Sequence, residues 1–114
     1  MKHREELLKS EKLKEIENQF LEFLSEKTKE INSISAPLPQ YEKQSEELIN
    51  EVKSSRGRGL YYPFLSSGIG NGPYVECVDG SVKLDFITGI GVHFFGHNHA
   101  EINRSLFRAS TKDT

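Results

Sequence analysis

Along the first third of the chain, apolar residues recur at Leu13, Ile16, Phe20, Leu24 and Ile31, with Leu21 and Phe23 beside them, among closely spaced charges of both signs. Steps of three and four residues predict an amphipathic helix, or two, over 2–33. Its apolar stripe either packs on its own protein or a partner subunit, or forms a coiled-coil arm; the heptad seam is short and irregular for the second. Ala36-Pro37-Leu38-Pro39 ends this region, because proline lacks an amide donor and forces its predecessor out of helical geometry. A second helix is predicted from about Glu42 to Ser54, with Leu48, Ile49 and Val52 on its apolar side. Ser54 to Gly59 reads as a turning segment.

The period then changes. Tyr74–Val78 and Ser81–Phe86 flank Asp79-Gly80, a dipeptide suited to a two-residue hairpin turn. That turn sets Glu76 opposite Lys83, with Cys77 opposite Val82 and Val75 opposite Leu84, one face apolar and one polar. Ile87–Phe95 is expected as a further strand, loosened by Gly89 and Gly91. Gly96-His97-Asn98 should turn the chain into a helix from about His99 to Ala109, with Asn98 as cap, Glu101 reaching back, and Ile102, Leu106 and Phe107 or Ala109 inward. Ser110 to Thr114 is a polar end. The fold class expected is α+β: one or two N-terminal helices, a short antiparallel hairpin sheet of two or three strands, and a C-terminal helix. Residues 1–40 form a helical arm with a proline-containing linker, and 41–114 the remainder.

Composition narrows the functions. The 114 residues are 28% charged and 35% hydrophobic, a thin apolar share for a self-sufficient core. A net charge of -2 gives no basic field for nucleic acid. No apolar run approaches the roughly 20 residues that span a bilayer, and the charged start lacks a signal peptide's apolar region. The single cysteine, Cys77, excludes an intrachain disulfide and fits a reducing, cytoplasmic setting.

Four constellations invite chemistry. His93, His97 and His99 are candidate zinc or copper ligands, but no cysteine or carboxylate completes a set, and hydrogen bonding within the turn explains His97 and His99 as well. Ser66-Ser67-Gly68-Ile69-Gly70-Asn71-Gly72 has a phosphate loop's glycines but runs into a strand and lacks the lysine that follows in such loops, so a flexible connection is expected. Cys77, mid-strand on the apolar face, reads as a small hydrophobe. Tyr61-Tyr62-Pro63-Phe64 packs under the sheet or walls a pocket.

In order, Asp79-Gly80, Leu84-Asp85, Gly89-Ile90-Gly91 and Gly96-His97-Asn98-His99 resemble the N-terminal segment of class III aminotransferases, enzymes dependent on pyridoxal phosphate. The resemblance covers under half the chain. It implies part of the small domain of a fold-type I enzyme that moves an amino group between an amine or amino acid and a keto acid, as a homodimer with its active site at the subunit interface. It further implies that Ile90 lines a substrate pocket, that Gly89 and Gly91 let backbone approach the bound substrate, that Tyr61 contacts substrate, and that His97 and His99 are architectural. Ala100 stands where the family usually has proline, a change the first turn of a helix tolerates. The Schiff-base lysine, the acid under the pyridine nitrogen and the phosphate cup have no counterpart here. The chain alone is therefore expected to be inactive and to hold no cofactor, needing the remainder of the enzyme and a second subunit. The alternative is a non-catalytic helical and β module that docks on a partner protein.

Overall fold

The computed structural model describes residues 2–62 and 64–112, so Pro63 of the aromatic cluster and the last two residues of the polar end lie outside the described residues. The architecture is α+β, with four helices and one three-stranded antiparallel sheet among the described residues. The N-terminal region forms α1 (Lys2–Lys9) and α2 (Glu11–Thr28). They part at Ser10, whose N–H donates to the Leu7 carbonyl and whose carbonyl accepts from the Lys14 N–H. The inward stripe of α2 is rotated from the expected one. Leu13, Leu21 and Leu24 are half-buried around buried Glu17 and Thr28, whereas Ile16 and Phe20 are exposed.

Helix α3 (Pro39–Arg56) begins earlier than expected because Pro39 occupies its first turn, where a missing N–H costs nothing. Gly57, left-handed at φ +70°, ends it. The linker before α3 is pinned to the sheet: Ser35 pairs with Val82, and the Leu38 N–H donates to the Asp79 carbonyl.

The sheet runs β1 (Ser66–Asn71), β2 (Tyr74–Cys77), β3 (Val82–Leu84) in spatial order. Two sequence expectations are corrected here. The hairpin register is one residue off: Glu76 faces Val82, Val75 faces Lys83 and Tyr74 faces Leu84. The turn holds three residues instead of two, with Gly80 left-handed and its N–H on the Cys77 carbonyl, while the Cys77 N–H reaches the Ser81 carbonyl. That is the three-residue hairpin with glycine at the left-handed position. Asp79 stabilises it by accepting from both the Ser81 N–H and Oγ. The third strand is the glycine-rich Ser66–Asn71, not Ile87–Phe95.

Residues 87–95 form a series of turns instead. Thr88, Gly89, Ile90 and Gly91 are consecutively left-handed, at φ of 52°, 59°, 57° and 88°. For each of the two β-branched residues such a backbone costs about 1–2 kcal/mol. Helix α4 (Ala100–Ala109) then packs on α2, with the Phe20 and Phe107 rings stacked at 5.8 Å. Its cap position is His99, not Asn98; no side chain caps it. Asn98 is itself left-handed, and its amide donates to Thr28 Oγ1 and accepts from Asn103.

Little of this is core. Among the described residues only Ile31 and Cys77 are buried hydrophobics. The radius of gyration is 17.7 Å, against about 13 Å for a compact 100-residue domain.

Candidate functional site

Strand β3 delivers Asp85 to the foot of the turn region, where the Asp85 N–H donates to the Pro73 carbonyl. Its Oδ1 accepts from the N–H groups of Ile87 (2.9 Å) and Thr88 (2.8 Å). Its Oδ2 lies 2.7 Å from His97 Nε2. Burial pushes the Asp85 carboxyl up, but the His97 bond and the two amides outweigh it and hold it below the ordinary carboxylate range. The far foot is fixed as firmly. His97 and Gly72 exchange two backbone hydrogen bonds, and the His97 ring stacks on His93 at 4.1 Å. A strap from Phe86 to Phe95 is thus pinned at both ends and bulges between them.

One side of the strap borders a groove of about 470 Å³. Tyr62, Phe64, Val75, Leu84, Phe86 and Ile87 make its apolar walls, and Lys83 lies at it with Nζ 5.0 Å above the Phe64 ring. Of the four residues proposed to meet substrate, Gly89 lines this groove. Ile90, at the crest of the strap, is 93% exposed, and Gly91 beside it is left-handed with open space where a side chain would stand. Tyr61 is 92% exposed and meets Tyr62 edge-on at 5.0 Å, opening an aromatic row that Tyr62 and Phe64 continue at 5.9 Å. The strap therefore brings Gly89, Ile90 and Gly91 together, while Tyr61 belongs to the aromatic side.

The other candidates resolve simply. Among the described residues no group of three or more His, Cys, Asp or Glu is arranged for a metal ion. His97 serves Asp85, and His99 leans on the Phe95 ring at 5.6 Å with its Nδ1 buried and unpartnered. Cys77 is buried, and burial raises its thiol above the ordinary range, which disfavours the nucleophilic thiolate. Ser66–Asn71, being a strand, presents no run of amides to a phosphate. No described helix is long and apolar enough to cross a membrane.

Sequence reasoning passed over a second cluster. Glu17 is buried on α2 and accepts from Arg108 Nε at 2.8 Å and from Arg108 and Arg104 at 3.2 Å. The signal was present: Glu17 interrupts an apolar series at Leu13, Leu21 and Leu24, and Arg104 and Arg108 stand one turn apart on α4. The Arg108 bond foremost holds the Glu17 carboxyl below its ordinary range. Asp79, pushed up by burial but outweighed by its Ser81 bonds, is lowered too. A carboxyl depressed in the native state contributes stability above its unfolded pKa, which is lost as pH falls through the native value. The chain should accordingly weaken below about pH 5, where unfolded carboxyls begin to protonate. Urea midpoints measured from pH 7 to pH 3 should fall, and the fall should be shallower in Glu17→Gln. An equally steep fall in that variant would place the acid sensitivity elsewhere.

Comparison with known proteins gives a partial likeness. Over 45 residues, 40% of the chain, the sequence is 40% identical to the glutamate-1-semialdehyde 2,1-aminomutase of Symbiobacterium thermophilum. The matched stretch spans about 10% of that relative's length. No family model matches the chain. No solved structure matches it.

Proposed function

We propose that this chain supplies a pocket wall to a class III, pyridoxal-phosphate-dependent aminotransferase-type enzyme, whose amine and keto-acid chemistry is done by groups outside it. The observation that carries this reading is the strap: a Gly-Ile-Gly crest pinned by Asp85 and His97, with Ile90 presented bare. An aliphatic side chain presented to water has no role in the isolated chain and an evident one against a substrate. The partial identity to an aminomutase supports the same assignment. So does the thin core, because the remainder of such an enzyme and a second subunit would cover what is now exposed.

The described residues do not by themselves fit the cofactor. Asp85, the acid at the foot of the strap, has both oxygens engaged, and Lys83 holds its amine over the Phe64 ring. The lysine that binds pyridoxal phosphate, and the acid and phosphate contacts that tune it, belong in this reading to the rest of the enzyme. The work of this chain is to shape the pocket and exclude water.

A chimaera tests it. This chain's matching segment would replace the corresponding tenth of the Symbiobacterium aminomutase. The chimaera should bind pyridoxal phosphate and turn over, and Ile90→Glu within it should lower kcat/KM by roughly tenfold or more with the cofactor absorbance unchanged. A chimaera that folds, holds cofactor and ignores Ile90→Glu sinks the assignment. The second reading, a docking module without catalytic association, is favoured by the same exposed side chains: Phe86, Ile87, Val92, Phe94 and Phe95 join Ile90 in one segment. It would be favoured if the chimaera stayed silent while the free chain formed a defined complex with a protein unrelated to aminotransferases.

A further inference from the structure

The strap carries a property that its place in a pocket wall does not require. Left-handed backbone at β-branched residues persists where surrounding packing over-determines it. Here Ile90 has no such support: it is 93% exposed, and a side chain at neighbouring Gly91 would meet nothing. What holds the turn is hydrogen bonding at its base. Asp85 takes the amides of Ile87 and Thr88, the Ile90 N–H donates to the Ile87 carbonyl, and the His93 N–H donates to the Thr88 carbonyl. At the far end the Gly96 N–H closes on the His93 carbonyl. The feet are fixed, the middle is strained, and two glycines flank the strained isoleucine.

We propose that Thr88–Gly91 is a spring-loaded hinge: the Asp85 latch holds the strap in a left-handed form, and the strap leaves that form when the latch gives or its apolar crest is covered. On the reading above, the covering surface is the rest of the enzyme. The strain itself belongs to this chain and is measured without it, so failure here and failure of the pocket-wall assignment are separate results.

The test compares two substitutions on the same strap. Ile90→Gly removes an exposed side chain and relieves a left-handed backbone. Val92→Gly removes a side chain that is also exposed but whose backbone is not left-handed. If the hinge is loaded, Ile90→Gly should raise the melting temperature by roughly 2–6 °C, and Val92→Gly should lower it. Amide exchange on the intact chain supplies the second readout. The Ile90 and His93 amides should exchange at least about tenfold faster than the Cys77 amide in the hairpin, and Asp85→Asn, which weakens the latch, should speed the strap amides by more than it speeds Cys77. A melting temperature that falls in Ile90→Gly as it does in Val92→Gly, or strap amides that exchange only together with Cys77, overturns the hinge.

Discussion

Gly70→Ala should unfold much of the chain at physiological temperature. A β-carbon on Gly70 would stand 2.5 Å from the Tyr74 carbonyl oxygen and 2.8 Å from Cβ and Cγ of His97. The first neighbour is backbone at the start of β2, the strand paired with β1, and cannot rotate away. The second is His97, whose ring is bound by Asp85 and whose backbone is bound by Gly72. Both relaxations break something, either the β1–β2 pairing or the far foot of the strap. Overpacking of this kind costs about 3 kcal/mol, and a core as small as this one yields only roughly 3–5 kcal/mol in all. The melting temperature should drop by roughly 10–20 °C. Gly59→Ala is the control, since nothing lies within 4 Å of its added carbon and its backbone is not left-handed; it should be neutral or slightly stabilising. Equal melting temperatures for the two variants would mean that β1 does not approach His97 as described.

The same glycine marks how far the sequence could be read. The helices were legible because their signals are local: the three-and-four period of α2 and the proline at the start of α3. The C-terminal helix was legible as an element, but its inward face was not: Asn103, Arg104 and Phe107 are half-buried, whereas Ile102 and Leu106 are exposed. The hairpin was legible as a hairpin, but its register was not. Asp79-Gly80 suits a two-residue turn and equally the last two positions of a three-residue turn, and the choice was made by distant partners. The Leu38 N–H takes the Asp79 carbonyl, and Ser35 pairs with Val82. With Glu76 and Lys83 both only half-buried, neither face punishes a one-residue shift strongly enough to correct it.

The exchange of strands has a similar cause. Ile87–Phe95 is richer in β-branched and aromatic residues than Ser66–Asn71, so propensity alone favours it as a strand. Asp85 overrules propensity by capturing the Ile87 and Thr88 amides, which a ladder would need, and Gly89 and Gly91 make the resulting left-handed turn accessible. Ser66–Asn71 becomes a strand because its glycines permit close approach: Gly70 packs under His97 without a side chain in the way. At the site, the Gly-Ile-Gly crest could be named from sequence, whereas the groove beside it could not, since Tyr62, Val75 and Phe86 come together only through the fold. Glu17 was hidden for a different reason. A charge within an apolar stripe looks like an interruption until the arginines that face it, 87 and 91 residues away, are in view.

Asp85→Ala should be nearly as damaging as Gly70→Ala, by another route. The carboxylate is three-quarters or more shielded, with 16% of its side chain exposed, and it serves three donors at once. Alanine leaves two amides at the strap's near foot and the His97 ring without a partner. Hydrogen bonds to a charged group contribute about 1.5–3 kcal/mol each, and less when several are lost together because the freed segment rehydrates. A loss of about 3 kcal/mol is expected by urea denaturation. Asp85→Asn separates geometry from charge. Its carbonyl oxygen can still accept from Ile87 and Thr88, and its amide can donate to His97 in the tautomer that leaves Nε2 unprotonated, so it should cost only about 1 kcal/mol. Asparagine does not titrate, so this variant should also flatten the acid limb of the stability profile, because the group whose native pKa was depressed is gone. If alanine and asparagine were equally mild, the strap would not depend on Asp85, and the pinned crest that presents Ile90 would lose its physical basis.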